Sequence, residues 1–519
     1  MGTNKEEKNQ YNKASRTVSS AKNMAFAVVG QISKELLAFI VRTVFIRMLA
    51  VEYLGVNGLF TNILSFLSLA EMGIGSALVF AMYKPMADHD ELKLQQLMSV
   101  YKAAYRIVGT VVFTIGFALT PFLDFFIKDK PDLPNLVLIY ILYVINTGST
   151  YFFAYKGSIF NADQRAYVVT NNTTLFNLIQ SIARVIILIT TKNFIAYLTI
   201  SILVIYIQNF NISRLADKQY PFIKKKPETK LPAAEVKQLL GNIGALTVHR
   251  IGAVVLHSSD NIIISKFIGL VVVGLYSNYS MIVNAVSVTF DMVFNAFTTS
   301  VGNLCAREPA EKIYRVFNAL LLLNIWIISF CVISLYNLLN PFIEIWLGSR
   351  FLLSNSFVLA LVFSLYMQQS IKVCDMFRTA SGLFKQYIFF PVAQCIVNVG
   401  VSVFLAHRLG LEGVFIGTAV AIITTRFWVT PEVFFKLKLK MPVYNYYIKY
   451  GIFTVVGIVA FIATKFMVSL NPYTGIIGLL ISLICCCVVP NLIFLLVFFK
   501  SDEFSYIFGL VKQMIKKKK

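Results

Sequence analysis

Charge is scarce in this sequence: 14% of its 519 residues are Asp, Glu, Lys or Arg, against 57% hydrophobic. A soluble chain of this length has too little interior to hide so much apolar surface, so its natural solvent is a bilayer. Histidine and cysteine are few as well, at four and seven. Cys485, Cys486 and Cys487 run consecutively through an apolar stretch, and His249 and His257 have no third ligand at a recognisable spacing, which argues against a metal site. No Walker A sequence occurs, and that weighs against ATP hydrolysis. No cofactor is expected.

What is present is a series of apolar stretches of some 20 to 28 residues, each able to cross a core of roughly 30 Å at about 1.5 Å per residue. Spans are predicted at 24–49, 55–81, 104–127, 135–156, 166–190, 193–211, 237–266, 272–300, 314–347, 356–377, 386–407, 411–435, 446–468 and 475–499. The fold class is therefore all-α integral membrane, with about fourteen transmembrane helices. The external connections are a few residues long, which weighs against a membrane-bound glycan enzyme with acidic catalytic groups on a sizeable loop. The first span follows a polar leader and carries Lys34, Glu35, Arg42 and Arg47, unlike a cleaved signal peptide.

Orientation follows from the Lys and Arg bias of the connections. The leader, the loops on its side of the membrane and the tail carry most of the bases, including Lys224, Lys225, Lys226 and Lys516 to Lys519. The opposite loops hold five: Lys128, Lys130, Lys192, Arg350 and Arg408. Both termini are expected on the cytoplasmic side. The net charge of +22 then reflects topogenic lysines and lysines facing lipid headgroups, and not a nucleic acid partner.

One offset lays the chain on itself. Pro121-Phe122-Leu123-Asp124-Phe125-Phe126-Ile127 matches Pro341-Phe342-Ile343-Glu344-Ile345-Trp346-Leu347 at a shift of 220, which also places Glu71 on Asp291 and Tyr167 on Tyr387. A shift of 219 lays Arg47, Ala50 and Gly55 over Lys266, Gly269 and Gly274. Four matches in order imply a duplication, and because six spans is an even number the two halves run parallel. The expected organisation is a cytoplasmic segment 1–23, a six-helix bundle 24–211, a linker 212–236, a second bundle 237–435, an additional helix pair 446–499 and a basic tail 500–519.

Ionisable groups inside spans are costly against lipid and are expected to face a bundle interior or a wet cavity. In the first span Gln31, Glu35 and Arg42 share a helix face, and in the seventh Arg250, His257 and Asn261 do. The 219 shift lays Gln31 on Arg250 and Arg42 on Asn261, so both stripes are expected to look into one central cavity. Further stripes are Asn177, Gln180 and Arg184; Asn284, Ser287, Asp291, Asn295 and Thr298; and Gln368, Lys372 and Asp375, with Arg426 in the twelfth span. Nine bases (Lys34, Arg42, Arg47, Arg184, Arg250, Lys266, Lys372, Arg426, Lys465) outnumber five acids (Glu35, Glu71, Asp260, Asp291, Asp375). Arg47, Lys266 and Lys465 near span ends read as snorkelling side chains. Lys34 with Glu35, and Lys372 with Asp375, read equally well as structural pairs. Arg42, Arg184 and Arg250 point to an anionic substrate, since guanidinium presents a planar donor fork to phosphate oxygens. The acids are candidates for coupling H+ or Na+, while a hinge hydrogen bond is the plainer reading of Glu71 and Asp291.

Residues 35–130 carry a resemblance, strongest in Phe39-Ile40-Val41-Arg42-Thr43-Val44-Phe45-Ile46-Arg47, in Tyr53-Leu54-Gly55-Val56-Asn57-Gly58-Leu59-Phe60-Thr61-Asn62, in Ala70-Glu71-Met72-Gly73-Ile74-Gly75-Ser76-Ala77 and in Tyr83-Lys84-Pro85. The chain resembles the polysaccharide transporter (Wzx-type flippase) branch of the multidrug/oligosaccharidyl-lipid/polysaccharide exporter superfamily. That resemblance implies two six-helix bundles around a V-shaped central cavity with alternating access. It also implies a cargo, an undecaprenyl-diphosphate-linked oligosaccharide turned over from the inner to the outer leaflet for capsule or exopolysaccharide assembly. Polysaccharide polymerase and glycosyltransferases are the implied partners, besides membrane lipids. Spans 13 and 14 resemble the additional pair of the related lipid II flippase, but that flippase's first-span pattern does not stand out here, so a lipid II flippase is an alternative that ranks below the oligosaccharide reading. In this reading Arg42, Arg184 and Arg250 hold the pyrophosphate, Lys372, Arg426 and Lys34 line the cavity, and Gln31, Asn177, Gln180, Asn261 and Gln368 meet sugar hydroxyls. A drug or metabolite antiporter of the same fold is the main rival, and the surplus of bases weighs against cationic drugs.

Overall fold

A computed structural model describes residues 30–31, 33–71, 74–128, 133–237, 239, 258–383 and 389–516. Arg250, His249, His257, the leader and most of the expected seventh span lie outside those residues. The chain forms two compact units, Met1–Val254 and Val255–Lys519.

In the first unit, helix α1 covers residues 33–48. It is followed by α2 (Val51–Leu67), α3 (Ile74–Ala87), α4 (Glu91–Ala118), α5 (Leu136–Ala154), α6 (Ala166–Thr191) and α7 (Phe194–Gln219). Each junction has a local cause. Asp90 caps α4 by accepting from the Lys93 amide at 2.9 Å. Lys192, at a left-handed φ of 50°, stops α6, and Asn193 starts α7 by accepting from the amides of Ile195 and Ala196. The second span is α2 and α3 together, interrupted by a 3-10 turn at Ser68–Glu71.

In the second unit, α8 covers residues 258–267. After it come α9 (Leu270–Asn295), α10 (Thr298–Arg307), α11 (Ala310–Leu347), α12 (Asn355–Ser370), α13 (Lys372–Ala380), α14 (Phe390–Leu409), α15 (Leu411–Thr424) and α16 (Arg426–Phe434). The last three are α17 (Tyr444–Ser469), α18 (Gly475–Phe498) and α19 (Asp502–Lys516). Eleven of the fourteen expected spans are helices long and apolar enough to cross a bilayer. The first and seventh are only partly described, and the second is the interrupted one. Helices suit this solvent because they satisfy every backbone polar group within the segment.

The duplication is visible in the packing inside each unit. In the first, α4 packs on α5, α6 on α7, and α5 on α7. In the second, α11 packs on α12, α14 on α15, and α12 on α15. These are the same three pairings, span for span. α17 and α18 extend the second unit by packing on each other and on α11. The apolar stretch of α11 is accordingly 67% buried, against 22% in each of α17 and α18, which leave many Ile, Leu and Phe side chains exposed. Without a hydrophobic drive between helices in lipid, close approach depends on small residues. At Gly417 of α15 an added Cβ would stand 2.4 Å from Ser402 Oγ of α14 and 2.6 Å from its Cα, so only glycine lets these helices meet.

The repeat is not perfect. Pro121 opens a 3-10 turn at Thr120–Phe122 just after α4, whereas α11 runs on through its counterpart Pro341. Packing on α12, α17 and α18 supports α11 on several sides, and burial of that kind overrides the local preference of proline.

Candidate functional site

In the first unit the α6–α7 hairpin sets Arg184 against the start of α7. Arg184 Nε donates to Ser201 Oγ at 2.7 Å, and one turn earlier Gln180 Nε2 donates to the Ser201 carbonyl at 3.0 Å. The Ser201 hydroxyl donates in turn to the Tyr197 carbonyl at 2.6 Å. The guanidinium carbon lies 5.0 Å from the centre of the Tyr197 ring, a cation–π contact. No carboxylate pairs with Arg184 among the described residues, and its two terminal nitrogens keep their donors.

Arg42 joins this group from α1. It is half-buried, and its charge acts on Tyr197 and on Tyr143 of α5, which also feels Arg184. Tyr143 donates its hydroxyl to Asn57 of α2. Phe45 of α1 fixes the approach by packing edge-on against Phe194 and Tyr197, at 5.6 and 5.4 Å between ring centres. Five helices thus bring two guanidinium groups to a cluster of tyrosine rings with amide and hydroxyl neighbours. Such a cluster can bind an anion through charge-assisted bonds while the rings limit water. Tyr143, Tyr197, Ser201 and Asn57 escaped the sequence reading because tyrosine and serine are ordinary in membrane helices; the signal available was Tyr197 at the mouth of a short hairpin.

The remaining sequence-derived residues of this unit are placed more loosely. Gln31 Nε2 donates to Glu35 Oε1 at 2.7 Å, so the partner of Glu35 is Gln31, while Lys34 is exposed. Asn177 is half-buried one turn before Gln180.

In the second unit the charges interlock. Lys372 Nζ stands 2.6 Å from Asp291 Oδ1, joining α13 to α9. Arg426 of α16 bonds to Asp375, which also has Arg378 at 3.5 Å, and Arg426 acts on Asp291 as well. Spacing alone offered Asp375 as the mate of Lys372; the structure gives Lys372 to Asp291 instead. The reason is that Asp375 is already engaged by Arg426 of α16, which packs against α13, and by Arg378 one turn on, while α9 brings Asp291 to Lys372. Gln368 is half-buried near the end of α12. On α8, Asp260 Oδ1 and Asn261 Oδ1 have no hydrogen-bond partner among the described residues. No group of three metal-ligating side chains occurs among the described residues.

Glu71 closes the 3-10 turn between α2 and α3. It accepts from Tyr105 of α4 at 2.5 Å and lines a cavity of about 520 Å³ inside the first unit.

The family described as polysaccharide biosynthesis protein matches residues 20–299, more than half of the chain. The chain belongs to this family. Among solved structures, the fold of this polysaccharide biosynthesis protein is similar to the lipid II flippase MurJ in an inward closed conformation, with a TM-score of 0.65 and 14% identity over 92% of this chain and 99% of that one. It is also similar to an inward-facing multidrug resistance MATE family transporter of the MOP superfamily, with a TM-score of 0.61 and 17% identity over 77% and 94% of the two chains. A point mutant of the Vibrio cholerae MATE transporter VcmN aligns with a TM-score of 0.54 and 14% identity over 83% and 100%. No curated protein matches by sequence. The protein is thus a multi-pass membrane protein that shares its fold with these solved structures and is tied by family to polysaccharide synthesis.

Proposed function

We propose that the protein is a flippase that moves an undecaprenyl-diphosphate-linked oligosaccharide from the inner to the outer leaflet of a bacterial plasma membrane. The observation that carries this reading is Arg184: a guanidinium at membrane depth, held by Ser201 and Tyr197, with terminal donors left for a ligand and no carboxylate partner among the described residues. Arg42 shares the same tyrosines. A pyrophosphate supplies the oxygens that such donors fit, and the family supplies the link to polysaccharide synthesis. Gln180 and Asn177 would meet sugar hydroxyls, and Arg250 would add a third cation from the seventh span. Lys372 and Arg426, engaged with Asp291 and Asp375, would line the second bundle as a network carrying a net positive charge when Arg378 is included.

In this reading both termini face the cytoplasm, and polymerase and glycosyltransferases act before and after the lipid moves. Outward movement of negative charge is favoured by an inside-negative potential, at roughly 2.3 kcal/mol per charge per 100 mV. The test is complementation of a deletion strain. Arg42→Ala and Arg184→Ala should each leave the protein expressed while lipid-linked sugar accumulates on the cytoplasmic leaflet. Wild-type transport by both variants would discredit the cationic site, and glycosyl transfer by the purified protein would move the reading to an enzyme.

A further inference from the structure

The expected linker, 212–236, is not a free tether. α7 runs into it as far as Gln219, and Tyr220 then ties the chain to the first unit by donating its hydroxyl to Asp163 at 2.6 Å. A 3-10 turn follows at Pro221–Lys224, and its Phe222 and Ile223 pack against the buried cluster that Leu94, Leu97 and Met98 of α4 help to form. Further along, Gln96 of α4 donates to the Thr229 carbonyl at 3.1 Å, Lys93 pairs with Glu235 at 2.6 Å, and Leu231 is buried. Lys224, Lys225 and Lys226 are therefore held beside α4 by ties on both sides.

These three lysines meet two more around a cavity of about 220 Å³. Lys102 comes from α4, on the helix face that also presents Gln95 and Ser99 to the cavity. Lys156 comes from the 3-10 turn Tyr155–Gly157 after α5. Asp217 of α7 pairs with Lys156 at 2.7 Å, and the other four lysines have no carboxylate partner among the described residues. Lysines that only set topology need not converge. Five around one concavity, with an amide and a hydroxyl beside them, concentrate positive potential where an anion fits. The cavity is smaller than the roughly 300–1,000 Å³ of drug-sized ligand sites, so it suits a compact, charge-dense group.

The cavity is remote from Arg184. Ser201, which holds Arg184, lies near the start of α7 and Asp217 near its end, about 24 Å apart at about 1.5 Å per residue. One small anion cannot touch both.

We propose that this cavity is a second anion site of the first unit, for a phosphate group. The lysine ammonium groups bind its oxygens as point charges, and the Gln95 amide and Ser99 hydroxyl donate to them. The phosphate comes either from a soluble diphosphate or from the headgroup of an acidic phospholipid, which basic pockets beside membrane helices hold. The identity of the transported lipid does not enter.

The test is equilibrium binding of radiolabelled inorganic pyrophosphate to the full-length protein in phosphatidylcholine nanodiscs, with native mass spectrometry of the protein from phosphatidylglycerol-containing discs as a second arm. Lys102, Lys224, Lys225 and Lys226 are exposed, so their replacement by glutamine should leave the fold intact. Pyrophosphate affinity should fall about tenfold or more in the triple variant Lys224→Gln/Lys225→Gln/Lys226→Gln, and less in Lys102→Gln. The component lost in those variants should persist in Arg184→Ala and weaken as salt rises. That result assigns the site to a soluble diphosphate. Phosphatidylglycerol retained by the wild type and lost from the triple variant assigns it to a lipid headgroup. If neither ligand depends on the lysines, the proposal is overturned. Pyrophosphate binding that is lost in Arg184→Ala and unchanged in the lysine variants would also overturn it, while leaving the flippase reading standing.

Discussion

Lys372 Nζ lies 2.6 Å from Asp291 Oδ1 and ties the tenth span to the eighth. The pair is partly accessible, at 22% and 39% of the two side chains, so it is weaker than a sealed ion pair. Its loss still leaves one charge at membrane depth. Lys372→Ala or Asp291→Asn alone should lower stability by about 1–3 kcal/mol, and the double variant should recover part of that loss. Thermal unfolding of the four proteins in one detergent checks this; an additive double variant would show that the pair is not coupled.

Ser201 anchors the Arg184 guanidinium through its hydroxyl. Ser201→Ala keeps the charge but frees its direction, and a hydrogen bond to a charged group is worth about 1.5–3 kcal/mol. Flipping should fall on the order of tenfold, less than in Arg184→Ala, at nearly unchanged expression. Initial rates of lipid turnover in proteoliposomes measure the difference.

Gly75 faces the tyrosines that surround Glu71. A Cβ there would stand 3.0 Å from the Tyr101 hydroxyl and 3.1 Å from that of Tyr105. Gly75→Ala should therefore displace both hydroxyls and cost about 1–2 kcal/mol, the usual penalty of overpacking. Gly451→Ala meets nothing within 4 Å and should be neutral or stabilising by up to about 1 kcal/mol, because alanine is the better helix former. Melting temperatures of the two variants should move in opposite directions or differ clearly.

The terminal helix α19 docks on α11 and holds a titratable contact to Lys449 of α17. Burial disfavours the Glu503 carboxylate, yet Lys449, with Nζ at 2.5 Å, and further hydrogen bonds hold its pKa below the ordinary glutamate value. The folded carboxyl is thus the stronger acid. Its contribution is present above the unfolded value of about 4.3 and is lost as pH falls through the lower folded value. Phe504 stacks 6.3 Å from Trp326, so undocking should change tryptophan emission below about pH 4. Lys449→Ala should bring that change on at a higher pH.

Length and hydropathy made the spans legible in the sequence, because a bilayer demands about twenty apolar residues at a time and tests them one span at a time. The duplication was legible for the same reason: matched prolines, glycines and acids keep their order along the chain, and the pairings α4–α5 and α11–α12 follow that order. Partnership was not legible. A helical stripe predicts neighbours on its own helix only, and Lys372 and Asp375, which share α13, each take a partner from another span. Only tertiary packing decided that Lys372 meets Asp291, that Asp375 meets Arg426, and that Arg184 meets a serine and a tyrosine ring, with no carboxylate partner among the described residues. An ion pair across two spans depends on their rotation and depth relative to each other, and those quantities are set by the whole bundle.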